Sequence, residues 1–217
     1  MPSGRGLAGR LSLLASGCVL IVLASSLLGP RWIPLSELAA LDPSSSYWRL
    51  RAPRAGLAAL VGAGLALGGV VFQALFRNPL ATPYTRGIAS GASLAAASGF
   101  LLGAAGHVWG LPVLSLLAFG GALAAMSLVY GFSRLRAGMD MTRLLLAGVC
   151  ISYIGSAGVM LVTHLTEPVI TNEIIMWMMG SLAVLRPRAQ LEVAVGLVPG
   201  LLTMLALPRA LDLLAMG

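Results

Sequence analysis

Gln73-Ala-Leu-Phe-Arg-Asn-Pro-Leu-Ala-Thr-Pro-Tyr84 lies between two long runs that contain no charged residue. The second run begins with Gly87-Ile-Ala-Ser-Gly-Ala92. The pairs Asn78-Pro79 and Thr82-Pro83 end any helix here, because a proline lacks an N–H donor and moves the residue before it out of the α region. The segment therefore predicts a tight loop at a membrane face, between two helices.

The composition is that of an integral membrane protein. Of the 217 residues, 58% are hydrophobic and 10% charged, and the mean hydropathy is +0.93. Charge-free runs of about twenty residues, enough at 1.5 Å per residue to cross roughly 30 Å of hydrocarbon, predict five spans at 11–29, 55–76, 87–106, 111–133 and 144–163. A sixth span is predicted at 189–208, although it carries Glu192 and Pro199. The fold class is therefore all-α, a polytopic membrane helix bundle forming a single transmembrane domain over residues 1–217.

The first span favours an uncleaved helix over a signal peptide. Arg5 and Arg10 precede an apolar run that is longer than a usual signal sequence, and further spans follow it. We expect a multi-pass protein of the cell membrane with a cytoplasmic N-terminus.

The net charge of +7 comes from fourteen arginines, with no lysine, against seven acidic residues. Nearly all of them lie between the spans, and no water-exposed domain offers the basic face that nucleic-acid binding requires. A cytoplasmic N-terminus places eight arginines inside and six outside, a weak bias for the usual inner excess. The inner arginines are Arg5, Arg10, Arg77, Arg86, Arg134, Arg136, Arg143 and Arg209, and the outer ones are Arg31, Arg49, Arg51, Arg54, Arg186 and Arg188.

Two outer arginines, Arg51 and Arg54, bracket Pro53 just before the second span and should project outward there. They could serve only to flank the helix, with guanidinium groups reaching the lipid headgroups. An acidic partner outside the membrane would suit them equally well.

Small and apolar residues elsewhere indicate packing. The pairs Gly64/Gly68, Gly87/Gly91 and Gly99/Gly103 have the four-residue spacing that lets helix backbones approach closely. The apolar segment near 172–182 is too short to span and predicts a helix lying at the outer interface. Its Met and Trp residues favour packing, and a substrate-facing vestibule is the alternative.

The sequence offers little that could catalyse a reaction. A proton-coupled carrier would need an ionisable relay within the membrane, and only Glu192 lies inside the edge of a span. His164 and Glu167 alone do not make a metal site. An intramembrane serine protease using Ser90 would need a nearby histidine, whereas both histidines are predicted near the outer surface. The chain also has no phosphate-binding loop of the Gly-x-x-x-x-Gly-Lys type, so any nucleotide energy must come from another polypeptide.

Several ordered motifs together resemble the FecCD family, the permease subunits of bacterial ABC importers for iron-siderophores, haem and vitamin B12. The motifs span essentially all of residues 10–210. They are Leu50-Arg-Ala-Pro-Arg54, Gln73 to Pro83, Gly87-Ile-Ala-Ser-Gly-Ala92, Thr142-Arg-Leu-Leu-Leu-Ala-Gly148 and Trp177-Met-Met-Gly-Ser-Leu182. The motif positions with an expected structural role are Gln73, Asn78, Pro79, Pro83, Gly87, Ser90 and Gly91.

The resemblance implies a homodimeric or heterodimeric permease that takes substrate from an extracytoplasmic binding protein and is driven by two cytoplasmic ATPase subunits. The chain itself would bind no cofactor, since ATP is used by the partner. Arg51 and Arg54 match the element that meets acidic residues of the binding protein, and Met141 and Thr142 match the cytoplasmic gate. A methionine at 141 departs from the small polar pair expected there.

The resemblance also implies about ten helices in two related halves, whereas this sequence holds six spans. A truncated, transport-inactive remnant, an incomplete gene model and one part of a split permease are therefore alternatives to an active subunit. An intramembrane enzyme is a more distant one.

Overall fold

Seven helices and one short hairpin make up the part of the chain that the structure describes. The computed structural model describes residues 4–27, 50–76, 78, 87–134, 141–182 and 189–206. The helices are α1 (Gly4–Leu27), α2 (Ala52–Phe76), α3 (Ile88–Leu101), α4 (Val113–Arg134), α5 (Met141–Leu165), α6 (Pro168–Met179) and α7 (Ala189–Ala206). Between α3 and α4, strands β1 (His107–Val108) and β2 (Leu111–Pro112) pair antiparallel, His107 opposite Pro112 and Val108 opposite Leu111.

The all-α polytopic bundle predicted from the sequence is confirmed. Within the described residues, four helices are long and apolar enough to cross a membrane, over Gly9–Ser26, Ala52–Ala74, Val113–Phe132 and Leu144–Leu165. Large apolar side chains such as Leu13, Leu65 and Phe119 are exposed. In water such a surface would aggregate, whereas in a bilayer it contacts acyl chains.

Helices α1, α3 and α6 differ in extent from their predictions. The first span was predicted over 11–29, but α1 runs from Gly4 to Leu27. The third span was predicted over 87–106, but α3 ends at Leu101 and has 14 residues. Gly103 and Gly106 follow it with φ of 65° and 95°, a left-handed backbone that stops the helix while the sequence stays apolar. The interfacial helix predicted near 172–182 begins earlier, at Pro168, a residue whose fixed φ suits the first helical turn.

The predicted helix stop in the Gln73–Tyr84 segment is visible at its first residues. Helix α2 ends at Phe76, and the backbone N–H of Asn78 donates to the carbonyl of Gln73 at 3.3 Å. This closure across six residues satisfies one of the carbonyls that a helix end leaves unpaired. Pro79 and Pro83 lie outside the described residues.

The chain forms two compact units, one of residues 1–65 and 182–201 and the other of residues 66–181 and 202–217. In the first unit Leu57 is buried, and Gly64 gives room to Leu197 of α7, whose Cδ2 lies 2.8 Å from where a Cβ would be. The prediction of a single domain over 1–217 stays a prediction.

In the second unit α3 is the central helix, packed between α4 and α5. The contacts along α3 show whether each of these helices runs parallel or antiparallel to it. Along α5, Gly87 meets Gly148, Ser90 meets Gly155 and Leu94 meets Gly158, so α3 and α5 run parallel. Along α4, Gly91 meets Gly121 and Gly99 meets Leu117, so α4 runs antiparallel to α3. The hairpin and α6 consequently lie at the same end of this unit, the end that the topology prediction places outside the membrane.

The core of the second unit lies near that end. Ala97 of α3, Val159 and Val162 of α5 and Ile174 of α6 form one buried cluster, with Ile174 1% exposed. Burying this isoleucine from a helix too short to span is worth roughly 1.5–3 kcal/mol. The apolar cluster therefore holds α6 against the bundle.

Candidate functional site

Gly87 lies where two of the sequence motifs meet. It precedes α3 with a φ of 76°, and a Cβ there would lie 2.7 Å from Cγ2 of Ile151 and 3.1 Å from the carbonyl oxygen of Gly148. Both the left-handed backbone and the space exclude a larger residue. The first residue of Gly87-Ile-Ala-Ser-Gly91 therefore sits directly on the last residue of Thr142-Arg-Leu-Leu-Leu-Ala-Gly148.

Gly91 brings α3 into backbone contact with α4. A Cβ at Gly91 would lie 2.5 Å from the Cβ of Ala125 and 2.7 Å from the carbonyl oxygen of Gly121, while one at Gly121 would overlap the carbonyl of Gly91 and lie 2.5 Å from the Cβ of Ala95. Small residues on both helices make this approach possible. The close packing predicted from the glycine spacing is confirmed at Gly64, Gly87, Gly91 and Gly99. At Gly68 and Gly103 the described residues place nothing within 4 Å of a Cβ.

Ser90 fills the space between these contacts on the side of α5. Its Oγ donates to the carbonyl of Gly87 at 2.9 Å and lies 3.5 Å from the carbonyl of Ile151. A Cβ at Gly155 would lie 2.7 Å from Oγ and 2.8 Å from Cβ of Ser90. Gly155 therefore leaves the space that the side chain of Ser90 occupies.

Replacing Gly155 with alanine should destabilise the protein by about 1–3 kcal/mol, because the added methyl group overlaps Ser90. Ser90→Gly removes the two nearest atoms and leaves the backbone carbon of residue 90 at 3.1 Å, so the Ser90→Gly/Gly155→Ala protein should recover part of that loss. Thermal unfolding of the parent, both single variants and the pair in detergent measures the coupling. Simple addition of the two losses would show that α3 and α5 do not meet here.

A cavity of about 170 Å³ lies beside this contact. Helices α3, α5 and α6 contribute its lining, which is Ala89, Ser90, Ser93, Ser152, Ser156, Val159 and Met178. The Oγ of Ser152 donates to the carbonyl of Gly148 at 2.9 Å, as Ser90 does to Gly87, so these hydroxyls leave acceptor lone pairs for other groups. Most of the wall is apolar, and the four serine hydroxyls set into it can bond to water or to the hydroxyl and amide groups of a passing solute.

The same geometry argues against nucleophilic catalysis by Ser90. Gly155, against which Ser90 packs, precedes His164 by nine residues on α5, about 14 Å of helix at 1.5 Å per residue. A serine and its base must be within hydrogen-bond reach. In the part of the chain that the structure describes, no cluster of three or more His, Cys, Asp or Glu residues is placed to hold a metal ion.

A threonine cluster fastens α6 to the end of α5. The Thr171 hydroxyl donates to the carbonyl of Thr163 at 3.0 Å and lies 2.9 Å from the Thr166 hydroxyl, which itself bonds to the Thr163 carbonyl at 3.2 Å. These bonds lie at the turn between the two helices. Met178, which borders the serine-lined cavity, is therefore on a helix held by both hydrogen bonds and an apolar core.

Arg51 and Arg54 lie at the start of α2, beside Pro53 in the helix's first turn. Arg51 is half-buried and Arg54 is exposed. The Nε of Arg54 donates to the carbonyl of Leu182 at 3.2 Å, which joins the Leu50–Arg54 motif to the last residue of the Trp177–Leu182 motif. This bond fixes the root of the guanidinium group at the helix start.

Met141 and Thr142 form the first turn of α5, and their side chains lie outside the described residues. Gly148 follows Met141 by seven residues, about 10 Å or two helical turns away. The positions matched to a gate thus stand directly below the junction of Gly87 with Gly148. Their role stays a prediction.

Sequence reasoning did not find Ser152, Ser156 or the hairpin. Ser152 and Ser156 are four residues apart, so they share one face of an otherwise apolar helix, and this spacing was the available signal. The hairpin had no such signal in the sequence, because Trp109-Gly110 is not among the residue pairs that usually form two-residue hairpin turns.

Comparison with known proteins places the chain in a family. Residues 17–217 match the model of the FecCD transport family. The chain belongs to the FecCD family. The vitamin B12 import system permease protein BtuC of Serratia proteamaculans is 35% identical over 208 residues, and that of Pectobacterium atrosepticum is 39% identical over 173 residues. A solved structure described as an inward-facing conformation and assigned to the metal-chelate type of ABC transporter superposes with a TM-score of 0.76 at 27% identity, covering 97% of this FecCD chain.

This FecCD chain spans only part of its relatives. It matches 61% of the Serratia protein, 50% of the Pectobacterium protein and 63% of the solved chain, while 96% and 78% of its own length align with the two permeases. The family is one of transport permeases rather than enzymes.

Proposed function

We propose that the chain is a permease subunit of an ABC importer that moves an iron chelate, such as a ferric siderophore or haem, or cobalamin across the cytoplasmic membrane. The observation that carries the proposal is the junction of Gly87, Ser90 and Gly148, where motifs far apart in the sequence meet in backbone contact. Family membership and the vitamin B12 permease relatives support the transport class.

The proposal includes partners on both sides of the membrane. Two cytoplasmic ATPase subunits would supply the energy, a second permease subunit would complete the pathway, and an extracytoplasmic binding protein would deliver the substrate. The chain would bind no cofactor itself, since ATP is used by the ATPases. A cytoplasmic N-terminus places Met141 and Thr142 at the inner face and Arg51 and Arg54 at the outer face.

In this arrangement the serine-lined cavity provides a polar surface inside the membrane. Ser93 and Ser156 add hydroxyls to those of Ser90 and Ser152, and none of the described residues that line the cavity is charged. In an open pathway these uncharged hydroxyls would contact a polar chelate without binding it tightly. Met141 and Thr142, two turns below, would close the inner end.

Affinity purification of the tagged chain from its own cells tests this function. We expect an ABC-type ATPase to co-purify with it, and the complex to bind one of three probes: cobalamin, haem or a ferric siderophore. An unrelated tagged multi-pass protein is the control. A chain that inserts but recovers no ATPase and no second permease would be a transport-inactive remnant, contrary to the proposal.

A further inference from the structure

The hairpin between α3 and α4 lies where both helices reach one face of the membrane. Gly99 in the last turn of α3 packs on Leu114 and Leu117 in the first turns of α4. The apolar stretch of α4 that can cross a membrane begins at Val113, with a mean hydropathy of 2.0. We therefore expect residues 107–112, which come directly before it, to lie at the level where the hydrocarbon ends and the lipid headgroups begin.

Trp109 stands at the tip of this hairpin and is 95% exposed. Its φ is 53° and that of Gly110 is 82°, the backbone of a tight two-residue turn that Asn-Gly or Gly-Gly adopts easily. A bulky residue in this conformation costs of order 1–3 kcal/mol. The fold thus holds a large aromatic side chain away from the protein at an energetic cost.

Apart from His107, the hairpin and the end of α3 are apolar in sequence, and they carry no formal charge. Leu102 is 82% exposed, and Leu101 and Val108 are also exposed. The sequence from 101 to 113 contains no Asp, Glu, Lys or Arg. A loop that meets a water-soluble protein ordinarily carries polar groups at its rim, whereas Trp is enriched where headgroups meet hydrocarbon.

We propose that the hairpin is a membrane-interface anchor, which inserts Trp109 and the neighbouring leucines into the headgroup region of the bilayer. The partner is the lipid surface itself, recognised by the apolar face of the indole, while its N–H can bond to phosphate or carbonyl oxygens. The anchor fixes how deeply α4 lies in the bilayer, because the hairpin leads directly into this helix. Through the Gly91–Gly121 contact it also fixes the depth of α3, whose 14 residues reach only about 21 Å and cannot set their own position.

Fluorescence of a protein with Trp109 as its only tryptophan tests the anchor. The full chain carrying Trp32→Phe, Trp48→Phe and Trp177→Phe is reconstituted into phosphatidylcholine and phosphatidylglycerol vesicles that contain brominated acyl chains. We expect blue-shifted emission, strong quenching by bromines near the headgroups, weaker quenching by bromines near the chain ends, and little quenching by iodide. The variant that keeps only Trp177 is the matched control for insertion, and circular dichroism checks that helicity equals the parent's.

Strong iodide quenching with no response to brominated lipid would overturn the anchor. Lipid insensitivity combined with a spectral change on adding the substrate-binding protein would assign the hairpin to a protein partner instead. If the triple variant does not fold, the difference in lipid quenching between the parent and Trp109→Phe gives the same answer, since phenylalanine leaves the turn occupied by an aromatic residue. None of these readouts depends on transport or on an ATPase.

Discussion

Gly121→Leu should lower the stability of the folded protein more than any other single substitution that we propose. A Cβ at this position would overlap the carbonyl oxygen of Gly91 and lie 2.5 Å from the Cβ of Ala95. Both obstacles belong to backbone or to a Cβ, so no side-chain rotation relieves them. Overpacking costs typically 1–3 kcal/mol and occasionally more, and here the cost should lie at or above the upper end.

The adjacent residue provides the matched control. Gly120 lies on the same helix and is exposed, with nothing among the described residues within 4 Å of a Cβ. Gly120→Leu should be neutral or stabilising by up to about 1 kcal/mol, because leucine favours a helix over glycine. Yield of monodisperse protein in detergent and its thermal unfolding temperature measure both variants. Equal behaviour of the two would mean that α3 and α4 are not in backbone contact.

The positions of the long helices followed from the sequence because charge-free apolar runs coincide with helices whenever nothing interrupts the backbone. The predicted span 144–163 lies within α5, and 55–76 lies within α2. The prediction of the third span, 87–106, was wrong at its end because an apolar sequence need not be helical. Residues 102–106 are as apolar as a span, but the positive φ of Gly103 and Gly106 ends the helix, and apolarity alone does not show this.

The cavity could be predicted only in part. Ser90 was identified within its motif, while Ser152 and Ser156 were not, because their meaning depends on which face of α5 turns toward α3. Three glycines of α5 determine which face this is, because each leaves room for one residue of α3. Gly148 contacts Gly87, Gly155 contacts Ser90 and Gly158 contacts Leu94. The sequence shows the small residues but not their partners on the other helix.

Arg51→Glu combined with Arg54→Glu should remove docking of the proposed extracytoplasmic binding protein. Reversing two charges turns attraction to an acidic surface into repulsion worth several kcal/mol. Since each 1.4 kcal/mol is tenfold in affinity, we expect binding to weaken by roughly a hundredfold or more. Surface plasmon resonance on the permease in nanodiscs measures this, and the parent's association rate should also fall as salt rises.

Two controls separate charge from structure in that experiment. Arg54→Lys keeps the positive charge but has no Nε to donate to the Leu182 carbonyl, so it should weaken docking much less than the double reversal. Arg10→Glu changes an exposed arginine of α1 that the predicted topology places inside, and it should leave docking unchanged. Docking that survives the double reversal would show that these arginines only flank the helix. Loss of docking in Arg54→Lys alone would instead mean that the bond to Leu182, rather than the charge facing an acidic partner, is what docking at the outer end of α2 requires.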